Sequence, residues 1–148
     1  MDTLKEYVDY GIMGVLGFMS FLALTVAIER YLFIRSINPK DYKSKALLEK
    51  DLTKRLYIIA TVASNAPYVG LLGTVIGILL TFYTMGQKGF VNTKEIMVGL
   101  ALALKATALG LLVAIPSVIV YNFLVRKVKE KLLDYEALYS KECSSSQE

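Results

Sequence analysis

Few side chains in this sequence are equipped for chemistry in an apolar setting, and those few are regularly spaced. Pro67, Gly70, Thr74, Gly77 and Thr81 follow one another at intervals of 3, 4, 3 and 4 residues, which places them on one stripe of a helix. Ala103, Thr107, Gly110, Ala114, Ser117 and Tyr121 repeat the pattern at intervals of 4, 3, 4, 3 and 4. A threonine hydroxyl both donates and accepts hydrogen bonds, so it serves a group that loads and releases a proton. Two such stripes side by side can line a narrow, weakly polar pathway. They also suit a plain packing seam, because small residues let backbones approach where lipid removes the hydrophobic drive for association. Gly73 and Gly77 form a further small pair four apart, and Ser64 and Asn65 add polar groups to the same segment. Pro67 and Pro116 each remove a backbone donor and shape the helices that carry the stripes. Neither stripe contains an acid.

Lys105 is the lone charge between residues 96 and 125, and a charge in such a setting is a functional candidate by default. Standing two residues before Thr107, it points about 160° away from the small stripe. Two readings stay open: the ammonium snorkels to the outer surface, or it pairs with an acid supplied by another chain. The sequence has no histidine, no cluster of metal ligands, no nucleophile beside a base and no phosphate-binding loop, so neither an enzyme nor a metal or cofactor site is expected. The sole cysteine, Cys143, lies in a polar tail and cannot form an intrachain disulfide.

The elements that position these residues follow from composition. With 148 residues, 55% of them hydrophobic, and a mean hydropathy of +0.48, the chain is one domain too apolar for an ordinary soluble fold. Residues 11–28 and 56–85 carry no charge, and 96–125 carry only Lys105. A bilayer core about 30 Å thick needs roughly 20 apolar helical residues, so each run is long enough to span. The prediction is an all-α membrane protein with three transmembrane helices over about 10–34, 56–85 and 95–125. A cleaved leader is not expected, because Asp2, Glu6 and Asp9 stand where a positive segment would be needed.

Thirteen basic residues lie in 30–55 and 126–141, against Lys5, Lys88 and Lys94 on the other side. This asymmetry predicts an N-terminus outside, a cytoplasmic loop over 35–55, an outer connection over 86–95 and a cytoplasmic C-terminus. The net charge of +4 is explained by that topology and calls for no nucleic-acid partner. Asn38-Pro39 should end the first span ahead of a short polar helix, and Gly86 and Gly89 should mark the outer turn. Val125, Val128, Leu132, Tyr135 and Tyr139 extend the third span as an amphipathic cytoplasmic helix over 126–141, with a disordered end over 144–148.

Beyond this physical reading, the run Ser64-Asn65-Ala66-Pro67-Tyr68-Val69-Gly70-Leu71-Leu72-Gly73-Thr74-Val75-Ile76-Gly77 resembles the second-span signature of the MotA/TolQ/ExbB proton-channel family. Ala106-Thr107-Ala108-Leu109-Gly110-Leu111, Ala114-Ile115-Pro116 and Tyr121-Asn122 resemble its third-span signature. Three spans and Glu29-Arg30 at the end of the first bring the chain nearer to the ExbB and TolQ branches than to MotA.

The resemblance implies a pentamer in the bacterial inner membrane around single-span, ExbD-like helices that carry the protonatable aspartate. Proton flow would then drive motion passed to a TonB-like protein that energises outer-membrane transport, with Thr74 and Thr107 matching pore-facing threonines. Thr81, Gly70, Gly77, Gly110 and Ala114 extend that lining, and Gly73, Pro67 and Pro116 shape it. Leu102 departs from the pattern, since a glutamate is common there, and the 35–55 loop is short for the family. A TolQ-like envelope-maintenance motor, a small self-contained transporter and a passive structural subunit are the competing functions.

Overall fold

The computed structural model describes residues 2–147. Its helices are α1 (Asp2–Ser36), α2 (Lys45–Thr53), α3 (Leu56–Lys88) and α4 (Thr93–Ser145), with one 3-10 turn at Pro39–Asp41. No strand occurs among the described residues. α1, α3 and α4 are each long and apolar enough to cross a membrane. The fold is therefore all-α, with α3 and α4 packed as an antiparallel hairpin and α1 laid along it.

Local chemistry explains the breaks. Asn38 accepts from Lys40 N at 3.1 Å to start the 3-10 turn, and Ser44 Oγ caps α2 by accepting from Leu47 N at 3.3 Å. Gly89, at φ 71°, ends α3 in the left-handed region, where glycine carries no steric cost. Gly86 lies inside α3 rather than in the turn. Asn92 then caps α4 through Lys94 N. The disordered end expected over 144–148 is corrected in part. α4 continues to Ser145, and its last turn is held by Ser146 N and Ser145 Oγ, both donating to Glu142 O. Glu148 lies outside the described residues.

Two packing regimes succeed each other along the bundle. At the α2 end, Ala27 and Ile34 of α1, Leu48 and Leu52 of α2, Ile59 of α3, and Leu124 and Val128 of α4 form one core. Within the long apolar stretches the core thins to Leu16, Ala66 and Ala114, with Ile12, Met19, Val69, Leu109 and Val113 packed around them. There α3 and α4 touch through backbone. A Cβ on Gly70 would stand 2.7 Å from the Ala106 carbonyl oxygen, and one on Gly110 would stand 2.7 Å from that of Ala66.

The α2 end also holds a buried charge. Arg30 is 4% exposed, and its Nη1 donates to the carbonyls of Asp51 at 3.0 Å and Lys54 at 3.1 Å. These carbonyls close the C-terminal turn of α2, so a cation suits them. Glu29 stands 3.7 Å from Arg30 and 2.6 Å from Arg55. Arg55, at φ 65°, makes the sharp corner into α3. Tyr42 donates to Asp51 Oδ2 at 2.8 Å, and that hydrogen bond raises the phenol's pKa. The α4 extension folds its basic segment against this corner through Lys131, which donates to Ile37 O at 3.1 Å, and through the Lys45–Glu136 ion pair.

Two expectations follow. Gly70→Ala and Gly110→Ala should each cost about 1–3 kcal/mol, because the new methyl meets backbone that cannot rotate away. Gly86→Ala, which meets nothing within 4 Å, should be neutral or stabilising; thermal unfolding in detergent ranks the three. Arg30→Met should strip two charge-assisted bonds and cost about 2–3 kcal/mol. Hydrogen exchange should then accelerate across α2 while the hairpin stays protected.

Candidate functional site

The α3–α4 seam gathers most of the residues singled out in the sequence. Gly70, Thr74, Thr81, Gly110 and Ala114 are buried in it, while Gly77 and Thr107 are half-buried. Their shared interval of three and four residues turns both stripes toward each other over several turns. Gly73 lies where all three long helices meet: a Cβ there would stand 2.8 Å from Ala106 Cβ and 3.2 Å from Ile12 Cγ2.

A hydroxyl pair occupies the middle of the seam. Thr74 Oγ1 lies 2.5 Å from Thr107 Oγ1 and 2.9 Å from the Ala103 carbonyl oxygen, with the Gly70 carbonyl further off at 3.4 Å. A carbonyl only accepts and Thr74 has a single proton, so the arrangement that satisfies both has Thr107 donating to Thr74 and Thr74 donating to Ala103. Thr74 is 7% exposed, and its proton is committed. Thr107 Oγ1 makes no other hydrogen bond among the described residues, so its lone pairs remain free to accept. Further along, Thr81 donates to Gly77 O at 2.8 Å and fills the space that a side chain at Gly99 would need.

The remaining polar residues of these helices turn inward on their own backbone. Ser117 donates to Val113 O at 2.7 Å, Ser64 to Ala60 O at 2.9 Å, and Asn65 to Thr61 O at 2.8 Å. Ser64 and Asn65 are exposed and stand off the seam. Pro67 and Pro116 both sit inside continuous helices. The turn around Pro116 borders a cavity of about 140 Å³ against Ser20, Ala23 and Ala27 of α1, where the helix packs less tightly.

Lys105 is outside the seam. It borders a small cavity between α1 and α4, together with Asp9, Ile12, Met13, Leu102, Ala106 and Leu109. Asp9 also borders a second cavity with Gly77, Thr81, Gly99 and Leu102. Sequence reasoning passed over Asp9 because it weighs only against a leader peptide when read linearly. The usable signal was its place as the last charge before the long apolar run of α1. Arg30 was missed likewise: an arginine at a span end reads as topogenic, and its burial depends on α2 folding back.

Comparison with known proteins agrees with this architecture. Residues 18–137 match the MotA/TolQ/ExbB proton channel family. The chain is 77% identical over 148 residues to a biopolymer transport protein ExbB of Aquifex aeolicus, covering 100% of this chain and 99% of that one. An ExbB of Helicobacter pylori is 57% identical over 127 residues, with 86% and 88% covered. One from Neisseria gonorrhoeae is 35% identical over 119 residues, covering 80% of this chain and 52% of its own. The hydroxyl seam between two apolar helices thus sits in a chain that belongs to the MotA/TolQ/ExbB proton channel family, a family of channel subunits and not of enzymes.

Proposed function

We propose that this chain is the ExbB-type subunit of a proton-driven motor in the bacterial inner membrane. Copies of it, five in our reading, surround the single-span helices of an ExbD-like partner whose aspartate carries the proton. The motion passes to a TonB-like protein and energises outer-membrane transport. The N-terminus is periplasmic, and the α2 end of the bundle with the C-terminal extension is cytoplasmic. The charge asymmetry along the sequence supports this orientation, as does the packing of its two basic segments against each other.

The observation that carries the reading is the Thr74–Thr107 pair, set between two facing stripes that contain no carboxylate. A protonated partner carboxyl donates to a free lone pair of Thr107. Once the acid has released its proton, the Thr107 hydroxyl rotates away from Thr74 and donates to the carboxylate. Each state keeps one hydrogen bond to the acid, and the alternation exchanges bonds of about 1 kcal/mol net. Thr74 anchors the arrangement through the Ala103 carbonyl and needs no rearrangement itself. Gly70, Gly110, Ala114 and Thr81, buried against the facing helix, and Gly77 beside them hold the two walls together above and below the pair, and Gly73, Pro67 and Pro116 shape those walls.

Proton flux into liposomes tests the reading, with this chain reconstituted alone or with an ExbD-like partner. Flux should require the partner and fall about tenfold or more in Thr107→Val, which keeps the shape and removes the hydroxyl. Thr74→Val should also lower flux but, in addition, lower the thermal midpoint, since it abandons the Ala103 carbonyl. Flux from the chain alone would instead indicate a self-contained transporter. An assembled complex that conducts equally well with valine at position 107 would remove Thr107 from the pathway.

A further inference from the structure

We infer that Asp9 is the counter-charge of Lys105, and that the two form an ion pair within one chain across the groove between α1 and α4. The inference needs only that both helices lie in a bilayer. It stands whether or not the motor reading holds.

The geometry selects this acid. Asp9 and Lys105 border one small cavity whose other walls are the apolar side chains of Ile12, Met13, Leu102, Ala106 and Leu109. The two side chains stop short of a direct bond across it. A lysine carries its ammonium on a flexible four-carbon stem, which gives it reach across a cavity of this kind. The nearby charged groups are otherwise engaged or less well placed. Glu95 binds Lys88 at 3.0 Å. Lys5 borders the neighbouring cavity with Asp9 and precedes it by four residues on the same helix, the weaker order for a lysine and an acid.

The setting makes pairing favourable. Lys105 stands nine residues into the run that begins at Ile96, about 14 Å at 1.5 Å per residue, so its backbone lies inside the apolar stretch. A charge there is retained when it faces protein and meets an opposite charge. Asp9 is the last charged residue before the uncharged run of α1, and a carboxylate at that boundary gains from the same partner. Each charge therefore satisfies the other at one level of the bundle. The pair ties the start of α1 to α4 where packing is thin, and it keeps the ammonium away from Thr107, which lies on the opposite flank of α4.

A mutant cycle in the full-length chain, reconstituted in lipid nanodiscs, tests the pair through thermal unfolding. Asp9→Asn and Lys105→Met should each lower the midpoint by about 3–6 °C, and the double variant should lose no more than the worse single. The exchanged variant, Asp9→Lys with Lys105→Asp, should recover more than half of the loss. Additive losses, or a Lys105→Met variant indistinguishable from wild type, would overturn the inference in favour of a snorkelling lysine. Non-additivity between Asp9→Asn and Lys5→Met, with none towards Lys105→Met, would move the pair to Lys5. As a check independent of stability, Asp9→Cys and Lys105→Cys in a Cys143→Ser background should be joined within one chain by a short bis-maleimide; absence of that product would refute the shared groove.

Discussion

The closest approach of α3 and α4, where the backbones of Gly70 and Gly110 touch, is the constraint on which the site depends. In a bilayer the exclusion of water cannot draw two helices together, so their association rests on van der Waals contact and interhelical hydrogen bonds. A threonine hydroxyl reaches only one carbon beyond the backbone. Thr74 can therefore meet both Thr107 Oγ1 and the Ala103 carbonyl only if the helices are already pressed together one turn away. The glycines supply that proximity, and the hydroxyl chain fixes the rotation of each helix about its axis. Neither device works without the other, because a looser seam would leave Thr74 bonded to its own helix.

The opposite end obeys different physics. Leu48, Leu52 and Ile59 are fully buried in a core like that of a soluble protein, and Arg30 spends its guanidinium on the carbonyls at the end of α2. Its Nε is left without a partner, a cost that the two carbonyl bonds and the Phe33 ring beneath, 4.3 Å from Cζ, offset. This corner sets where α3 begins. α1 is held there by the core and the Arg30 bonds, whereas its first turns rest on Ile12 against Gly73 and on what Asp9 can reach. The bundle is firm at the basic end and lightly fastened at the other.

What the sequence made legible follows from this division. Uncharged runs and 3-4 spacing are local properties, so the three apolar helices, the facing stripes and the turn of Lys105 away from Thr107 could be read from residues alone. The amphipathic spacing from Val125 onward likewise announced the long extension of α4. Contacts between distant segments could not be read. Nothing near Arg30 states that α2 folds back to offer it Asp51 and Lys54. Leu102 stands where the resemblance leads to a glutamate, and that departure put in doubt a mechanism needing a carboxylate from this subunit. In the fold, Leu102 borders both cavities that contain Asp9. The end of α4 at Ser145 was misjudged because serine-rich composition signals poor packing, whereas a capped last turn needs only its own hydrogen bonds.

Taken together, these placements limit where proton chemistry can reside. Thr74 is committed to a backbone carbonyl, Thr81 to Gly77 and Ser117 to Val113. Each has one proton and has already spent it. Thr107 alone in the seam donates to a partner that is itself a hydroxyl, so its bond can be exchanged without orphaning a buried carbonyl. A hydroxyl with a pKa far above neutral does not carry a proton as an ion; it orients one that an acid delivers. The two facing stripes contribute no such acid, and Asp9 stands on the flank, bordering the same cavity as Lys105. On the reading proposed above, the working carboxylate is supplied by a second protein, and the seam is the dry, shaped half of the site that it completes.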